Sequence, residues 1–265
     1  NRNVAVHRRE RVMQHILKQK NLGLSTTRSI EIGRGWEHIF CTDLMIQHHT
    51  VSIKEVNYLF PLYLYPNPNN PKELEESVRP NLSSEFLKDI TSKLGYTPTP
   101  EAIFYYIYAI FHSPTYRTRY AEFLKRDFPR VPLTSNKKLF QQLSAYGEEL
   151  VAFHLMKSPK LDNLITQFVE NGGGKEVAIG TANKAYTNNK VTINKKGDGF
   201  TGVPEAVWNF HVGGYQVCHK WLKDRKKRTL SQEDIQHYQR IVVALQETIK
   251  LMNKIDQAIP EFPIT

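Results

Sequence analysis

The stretch from Val207 to Arg228, VWNFHVGGYQVCHKWLKDRKKR, joins a glycine pair to a run of cations, and this combination can hold a phosphate. A glycine-rich loop before a helix makes a nucleotide site when a Lys-Ser or Lys-Thr pair completes it. Gly213 and Gly214 lack that ending. The residues after them predict a helix whose apolar stripe is Tyr215, Cys218, Trp221 and Leu222. We therefore interpret the glycines as a close turn into this helix, and we expect the basic end of the stretch to contact phosphate.

Other residues that could do chemistry lack the spacing that chemistry needs. His48 and His49 are adjacent, so on a strand they would face opposite ways, and no His-x3-His or Cys-x2-Cys spacing occurs. Cys218 lies near two histidines, yet it falls on the apolar side of the predicted helix, as a buried structural thiol does. The segment 170–176, ENGGGKE, is glycine-rich but has no P-loop ending, and we interpret 171–174 as a flexible loop. We expect no catalytic residue, metal site, cofactor or small-molecule ligand in this chain.

The basic residues are better suited to binding than to catalysis. Arginine reads guanine edges with two hydrogen bonds, while lysine mostly neutralises phosphates. Two stretches interleave cations with tyrosine, namely HSPTYRTRY and NKAYTNNKVTINKK. The residues expected to contact DNA are Arg28, Arg34, Lys54, Arg117, Arg119, Lys137, Lys138, Lys175, Lys184, Lys190, Lys195, Lys196, Lys223, Arg225, Lys226 and Lys227. Two alternatives stay open: a carboxylate partner within the chain for Arg117 and Arg119, and an ordinary solvated hairpin for the lysines from 184 to 196.

The charge distribution points to the same class of partner. The chain has 265 residues and a formal net charge of +10. Residues 1–20 carry a net +5, and residues 171–228 carry eleven Lys and Arg against four acids. Concentrated positive charge favours a polyanion, nucleic acid before a membrane surface. No run approaches the roughly 20 apolar residues of a membrane helix, and two cysteines among 265 residues fit a reducing cytoplasm.

The elements that position these residues predict a mixed α/β (α+β) fold. We expect a linker helix in 1–20 and a recognition domain over 21–230. Within this domain, 21–66 is β-rich, 81–170 is helical, and 171–215 holds a β-hairpin and loops. A long helix in 231–265, with Ser231 and Asp234 as its capping box, is expected to pack on the same domain. The chain does not begin with Met, and we expect it to be a fragment of a longer protein.

Several long blocks of the sequence carry a family resemblance, in the same order as in the family. They are NLGLSTTRS, NYLFPLYLYP, IFYYIYAIFHSPTYRTRYAEFLKRDFPRVPL and VPEAVWNFHVGGYQVCHKWLKDRK with the helix that follows. Together these blocks, over about residues 10–257, resemble the C-terminal specificity region of type ISP restriction-modification enzymes, with relatives among type IIG-like adenine-specific DNA methyltransferases.

The resemblance implies a target recognition domain that reads double-stranded DNA and is not catalytic by itself. It implies that residues 1–20 link this domain to a methyltransferase domain within one longer chain. The parent enzyme would use S-adenosylmethionine, with Mg²⁺ and ATP if nuclease and motor domains are present. It would act in bacterial defence. A recognition domain must vary where it reads DNA, so the expected reading loops are 29–38, 47–56, 134–138, 171–200 and 224–229. Two other functions stay open, an intact enzyme with an unrecognised active site and a protein-interaction module.

Overall fold

The structure is a computed structural model that describes residues 10–17, 20–31, 35–47, 49, 55–66 and 77–264. Its contacts divide the chain into two compact units. Unit 1 comprises residues 1–151 with 252–265, and unit 2 comprises residues 152–251. The division predicted from the sequence, with boundaries after residues 20 and 230, stays a prediction. The mixed α/β class is confirmed, with small antiparallel sheets and a long C-terminal helix.

The β-rich part of unit 1 is a three-stranded antiparallel sheet. Its strands β1 (Gly23–Thr27), β2 (Ile39–Thr42) and β3 (Asn57–Pro61) lie in the order β2-β1-β3. Two shorter strands, β4 (Tyr63–Leu64) and β5 (Arg79–Pro80), pair with each other. Within the described part of residues 1–20, the expected helix corresponds to α1 (Glu10–Met13).

The aromatic run that forms β3 is apolar on both faces, a pattern typical of a central strand, yet in the described sheet the central strand is β1. A strand that is apolar on both faces need not be central if another segment covers its second face. Here Phe128 does so: its ring centroid lies 5.0 Å from that of Tyr58 and 5.6 Å from that of Phe60.

The helices of unit 1 begin and end where local signals predict. Ser83 caps α2 (Ser84–Leu94) by accepting from the Phe86 N–H, and Gly95, at φ 70°, ends it. Thr99 caps α3 (Pro100–His112), which has Pro100 in its first turn. The helix α6 (Lys137–His154) agrees with the helical pattern of residues 136–156. It approaches α3 so closely that a Cβ at Gly147 would overlap the Tyr105 carbonyl oxygen.

The sequence pattern of residues 115–128 is that of one amphipathic helix, but the structure has two short helices there. The first is α4 (Pro114–Arg119) and the second is α5 (Ala121–Leu124), with Tyr120 at the junction. Asp256 accepts from the Thr115 N–H at 3.0 Å and from the Ser113 hydroxyl, which fixes the start of α4. Phe123, which the helical pattern assigned to the apolar side, is 75% exposed as a result of this break.

Unit 2 is built on a four-stranded antiparallel sheet in the order β6-β9-β8-β7. These strands are β6 (Gln167–Val169), β7 (Tyr186–Thr187), β8 (Lys190–Thr192) and β9 (Gly199–Thr201). The expectation that 81–170 is helical is therefore wrong at its end, where β6 joins the sheet. A 3₁₀ helix (Pro159–Asp162) precedes β6, and α7 (Ala182–Ala185) precedes β7.

The rest of unit 2 packs on this sheet. It consists of α8 (Glu205–Trp208), the short hairpin β10 (His211–Val212) and β11 (Tyr215–Gln216), α9 (Val217–Lys223) and the part of the long α10 (Gln232–Ala258) up to Leu251. Gly213 and Gly214, at φ 56° and 80°, form the turn of the β10–β11 hairpin instead of leading directly into a helix, and Tyr215 belongs to β11.

The start of α10 has the predicted capping box. The Ser231 hydroxyl accepts from the Asp234 N–H at 3.1 Å, and the Asp234 carboxylate accepts from the Ser231 N–H at 3.2 Å. Tyr238 of α10 packs on Phe200 of the sheet, with ring centroids 4.3 Å apart. Among the described residues no helix has the length and hydropathy to cross a bilayer.

Candidate nucleic-acid interface

One face of the four-stranded sheet of unit 2 presents a row of polar side chains to solvent. Lys190 lies opposite Thr187 on one side and opposite Thr201 on the other, and Thr201 lies opposite Gln167. Residues directly opposite one another in antiparallel strands point to the same face. We call this set, Gln167, Thr201, Lys190 and Thr187, the polar row. It supplies hydroxyl, amide and ammonium groups across all four strands.

The next row along the strands explains why the polar row faces outward. Phe168, Phe200, Val191 and Tyr186 are paired in the same way across the four strands. Phe200 and Val191 are fully buried, and Phe168 packs edge-on against Phe200 with centroids 5.0 Å apart. Because side chains alternate between faces, burying this row in the core turns the polar row to solvent.

Two loops beside the sheet are fixed to each other by a buried carboxylate. Asp198 accepts from the backbone N–H of Asn171, and this hydrogen bond is the main reason that its pKa lies below the usual range. The Asn194 side-chain amide donates to the Gly174 carbonyl at 3.1 Å, and its side-chain carbonyl accepts from the backbone N–H of Lys196 at 3.1 Å. The segment 171–174, expected to be a flexible loop, is therefore held by hydrogen bonds.

Several predicted lysines lie on these loops and on the neighbouring hairpin. The Lys196 ammonium donates to the Gly172 carbonyl at 3.0 Å, and Lys175 forms an ion pair with Glu170 at 3.3 Å. Lys195 and Lys184 are exposed, and Lys190 is half-buried in the polar row. Unit 2 thus brings five predicted cations, Lys175, Lys184, Lys190, Lys195 and Lys196, to one sheet and its loops.

The basic run 223–228 is joined to the same loops by backbone hydrogen bonds. The Lys227 N–H donates to the Val177 carbonyl at 2.8 Å, and the Leu230 N–H donates to the Lys175 carbonyl at 2.9 Å. Lys227 adopts a left-handed φ of 66°, while Lys223 and Lys226 are exposed. The run therefore lies next to the loop that carries Lys175.

Arg225 differs from its neighbours because its guanidinium is held in place. It stacks on Trp221 with its Cζ 3.6 Å from the ring centroid, and its Nε lies 3.3 Å from the Asp234 carboxylate. Desolvation raises the pKa of Asp234, but the Ser231 N–H and Arg225 outweigh it, so the net shift is downward. The ion pair fixes one side of Arg225 within the fold.

A surface cleft at the start of α10 joins the predicted basic run to Arg240 and His237, which the sequence analysis did not single out. It is lined by Arg225, Arg228, Ser231, Glu233, Asp234, Gln236, His237 and Arg240. The pKa of His237 is lowered by desolvation and by Arg225 and Arg240. Arg240 pairs with Asp162 at 3.3 Å. Three arginines in one cleft suit a phosphate, but they come from two elements, so no local motif marks them.

The sequence model of the type ISP C-terminal specificity domain matches residues 1–254. The chain belongs to this family. No curated protein sequence matches this chain.

Three solved structures share the fold of this specificity domain. They are the ATP-dependent type ISP restriction-modification enzyme LlaBIII bound to DNA (TM-score 0.67, 18% identity), the DrdV–DNA complex (0.65, 19%), and a nuclease-deletion mutant of the type ISP enzyme LlaGI with a DNA substrate mimic (0.62, 18%). Each match covers 93% of this chain but only 16%, 25% and 18%, respectively, of the other chain. The specificity domain spans a quarter or less of those chains.

The remaining predicted cations lie in unit 1 of the specificity domain. Arg28 and Asp127 form an exposed ion pair at 3.2 Å, and Lys137 sits over the ring of Tyr96, 4.7 Å from its centroid. Arg119 and Lys138 are exposed. Arg34 and Lys54 lie outside the described residues. DNA contact by these side chains stays a prediction.

Arg117 makes contacts inside unit 1. Its Nε donates to the Phe111 carbonyl at 2.7 Å, and its guanidinium lies 5.9 Å from the centroid of Trp36. Desolvation lowers its pKa to about 10, although Glu37 acts in the opposite direction. The alternative of a carboxylate partner for Arg117 stays open. These contacts give the Arg117 side chain a structural role within unit 1.

Within the described residues, the side chains considered for catalysis are not arranged as a nucleophile or a metal site. Cys218 is fully buried, and this burial raises the pKa of its thiol to about 12, so it is a poor nucleophile. Within the described ranges no three His, Cys, Asp or Glu side chains are grouped to hold a metal ion. The absence of a cofactor stays a prediction.

Proposed function

We propose that this specificity domain recognises a double-stranded DNA sequence for a restriction-modification enzyme. The observation that carries the proposal is the polar row of unit 2, Gln167, Thr201, Lys190 and Thr187, flanked by the basic loops 171–175 and 194–198. A rigid polar face beside exposed cations has the two kinds of group that sequence-specific DNA binding needs, one for base edges and one for phosphates. The LlaBIII and DrdV structures, which are DNA complexes, support it.

In this proposal the exposed lysines contact phosphates and the polar row contacts base edges. Exposed lysines at 184, 195, 196, 223 and 226 have flexible stems and suit phosphates, which fix register without reading sequence. The polar row is anchored by strand pairing, so its donors and acceptors hold fixed positions toward base edges. The arginine cleft at the start of α10 suits one further phosphate, with Arg225 held in position by Trp221 and Asp234.

The parent enzyme is the finer part of this proposal. We infer an adenine-specific DNA methyltransferase that uses S-adenosylmethionine, covalently linked to this domain, with ATP and Mg²⁺ required for motor and nuclease domains. The specificity domain itself would transfer no methyl group and cut no strand. Support comes from the length of the similar chains and from the description of LlaBIII as an ATP-dependent restriction-modification enzyme. Such a protein would work in the bacterial cytoplasm, where its DNA substrate is found.

DNA recognition is tested by titrating a labelled duplex with the chain at several salt concentrations. We expect binding whose log K falls linearly with log salt, with close to one unit of slope for each phosphate contact. The double variant K195Q/K196Q should lower that slope by up to about two. Lys254 lies outside the proposed surface, so K254Q should leave the slope unchanged. No binding at low salt, or binding indifferent to salt, would overturn the proposal.

The methyltransferase assignment needs a separate experiment on the full-length enzyme. Methylated bases are mapped in the DNA of cells that carry it, with residues 171–200 either native or exchanged for those of a related domain. We expect N6-methyladenine within one short motif, and a different motif after the exchange. Methyl transfer by the 265-residue chain alone, supplied with S-adenosylmethionine and DNA, would show that the domain is catalytic and would contradict its proposed role.

A further inference from the structure

The hairpin formed by β7 and β8 has a tip whose conformation is tightly specified. Tyr186 pairs with Val191 and Thr187 with Lys190, which leaves a two-residue turn of Asn188 and Asn189. Both asparagines have positive φ, 49° and 59°. Two-residue turns of this kind match the twist of the strands, and asparagine tolerates the left-handed backbone. The direction in which the tip projects is therefore set by the backbone.

The two turn amides are used differently. The Asn189 side-chain carbonyl accepts from the Tyr186 hydroxyl at 3.0 Å, and the Asn189 main-chain carbonyl accepts from the Val203 N–H at 2.9 Å. Asn188 is exposed, and its side chain makes no hydrogen bond to any residue in the described part of the chain. Asn189 is thus committed to the fold, while Asn188 offers a donor and an acceptor to a ligand.

The base of the hairpin is anchored to the core, so its tip is pre-organised. Tyr186 stacks on the buried Trp208, and its hydroxyl also donates to the Val203 carbonyl at 3.0 Å. Lys184 and Lys190 flank the tip. β7 is the edge strand of the four-stranded sheet, and β8 pairs on its other side with β9, so the turn lies at the edge of a larger sheet. The DNA major groove is about 12 Å wide, which leaves room for the turn of such a sheet edge, and cations beside the turn can contact the adjoining phosphates.

We propose that the tip of the β7–β8 hairpin enters the major groove and that Asn188 reads an adenine there. An asparagine amide forms two hydrogen bonds with adenine, accepting from its N6 amino group and donating to N7. This inference rests on the proposed function and adds to it the element that enters the groove and one residue that sets specificity. The competing explanation is that Asn188 is present only because the turn requires a positive φ.

Glycine at position 188 separates the two explanations. Glycine adopts positive φ at no steric cost, so N188G keeps the turn and removes only the amide. N188D also tolerates the left-handed backbone, but it removes the two donors and leaves acceptors that suit the cytosine amino group. N189G is the matched control, because it changes the neighbouring turn residue whose amide already bonds Tyr186.

The experiment selects bound duplexes from a random pool with the wild-type chain and the three variants, followed by sequencing. For the wild type we expect an enriched motif. N188G should lose preference for A·T at one position by on the order of tenfold or more, with unchanged affinity for random duplex. N188D should shift that position toward C·G, and N189G should keep the motif. Thermal melts confirm that each variant is folded.

The outcomes distinguish this inference from the proposed function. If the folded N188G variant enriches the same motif as the wild type at every position, Asn188 does not read a base, and DNA recognition stands without it. If N189G loses the same A·T preference as N188G, the hairpin acts through its shape and the assignment to Asn188 is wrong. If the wild-type chain enriches no motif, sequence recognition itself fails and this inference fails with it.

Discussion

Tyr186 and Trp208 lie face to face, with ring centroids 5.3 Å apart and planes 9° from parallel. This stack ties the β7–β8 hairpin to the core of unit 2. Y186A should lower the free energy of unfolding by roughly 2 kcal/mol, because it removes both the aromatic contact and the buried area. Y186F keeps the ring and loses the hydroxyl, so it should cost about 1 kcal/mol. Urea unfolding measures both, and equal losses would mean that the stack contributes nothing.

At Gly147 we expect alanine to destabilise the protein, although helix propensity alone predicts that it would stabilise it. In an open helix, replacing glycine with alanine gains about 0.5–1 kcal/mol. At Gly147 the added Cβ would overlap the Tyr105 carbonyl oxygen of the neighbouring helix, which is main chain and cannot rotate away. We expect G147A to destabilise unit 1 by roughly 1–3 kcal/mol. Q141A, at an exposed position of the same helix, should be near neutral in the same thermal or urea unfolding experiment. A stabilised G147A would refute the close helix contact.

Arg117 and Arg119 are two residues apart and should behave in opposite ways. R117A should destabilise the fold by roughly 2 kcal/mol, because it leaves the Phe111 carbonyl without its donor and removes packing on Trp36. It should leave the salt dependence of DNA binding unchanged. R119A should leave stability unchanged and lower the salt slope by close to one unit if Arg119 contacts a phosphate. Unfolding curves and duplex titrations on both variants check this, and a lower slope for a fully folded R117A would restore Arg117 as a DNA contact.

Asp198 should make the stability of unit 2 depend on acidity. Its folded-state pKa is lowered, first by the Asn171 N–H, so its ionised form stabilises the folded state. That contribution is complete above the unfolded pKa of about 3.9 and is lost as the pH falls through the folded pKa. D198N should therefore melt at a lower temperature than the wild type near pH 7. The two melting temperatures should converge below about pH 4, and a constant difference across this range would contradict the role given to the carboxylate.

The helices could be predicted from sequence because their signals are local. Thr99 with Pro100 marks the start of α3, and Ser231 with Asp234 marks the start of α10, each within four residues. The turn at Asn188 and Asn189 was predictable for the same reason. Single-sequence patterns fail where the partner is distant, as with the Phe128 ring that covers β3. The sequence likewise placed Arg117 among the expected DNA contacts and could not show its contact with the distant Trp36.

The sequence predicted the positive charge of the candidate site, but not which side chains the fold brings together there. The basic character of 171–228 is visible in composition, and the structure brings its two ends together through hydrogen bonds between 175–177 and 227–230. The polar row could not be found from sequence, because strand register joins Gln167 to Thr201 and Lys190 across 34 and 23 residues. Short strands such as β6 also carry too few residues for alternation to be visible.

The alternation of faces in the sheet of unit 2 separates side chains that tolerate substitution from side chains that the core requires. Phe200 and Val191 are fully buried, and a change in their volume disturbs the core. Their immediate neighbours Thr201 and Lys190 point the other way and are only half-buried. Substitutions in the polar row therefore alter the chemistry presented to a ligand at low cost in folding. If the polar row reads base edges, as proposed, a lineage can acquire a new recognition sequence by single substitutions that each leave a stable protein.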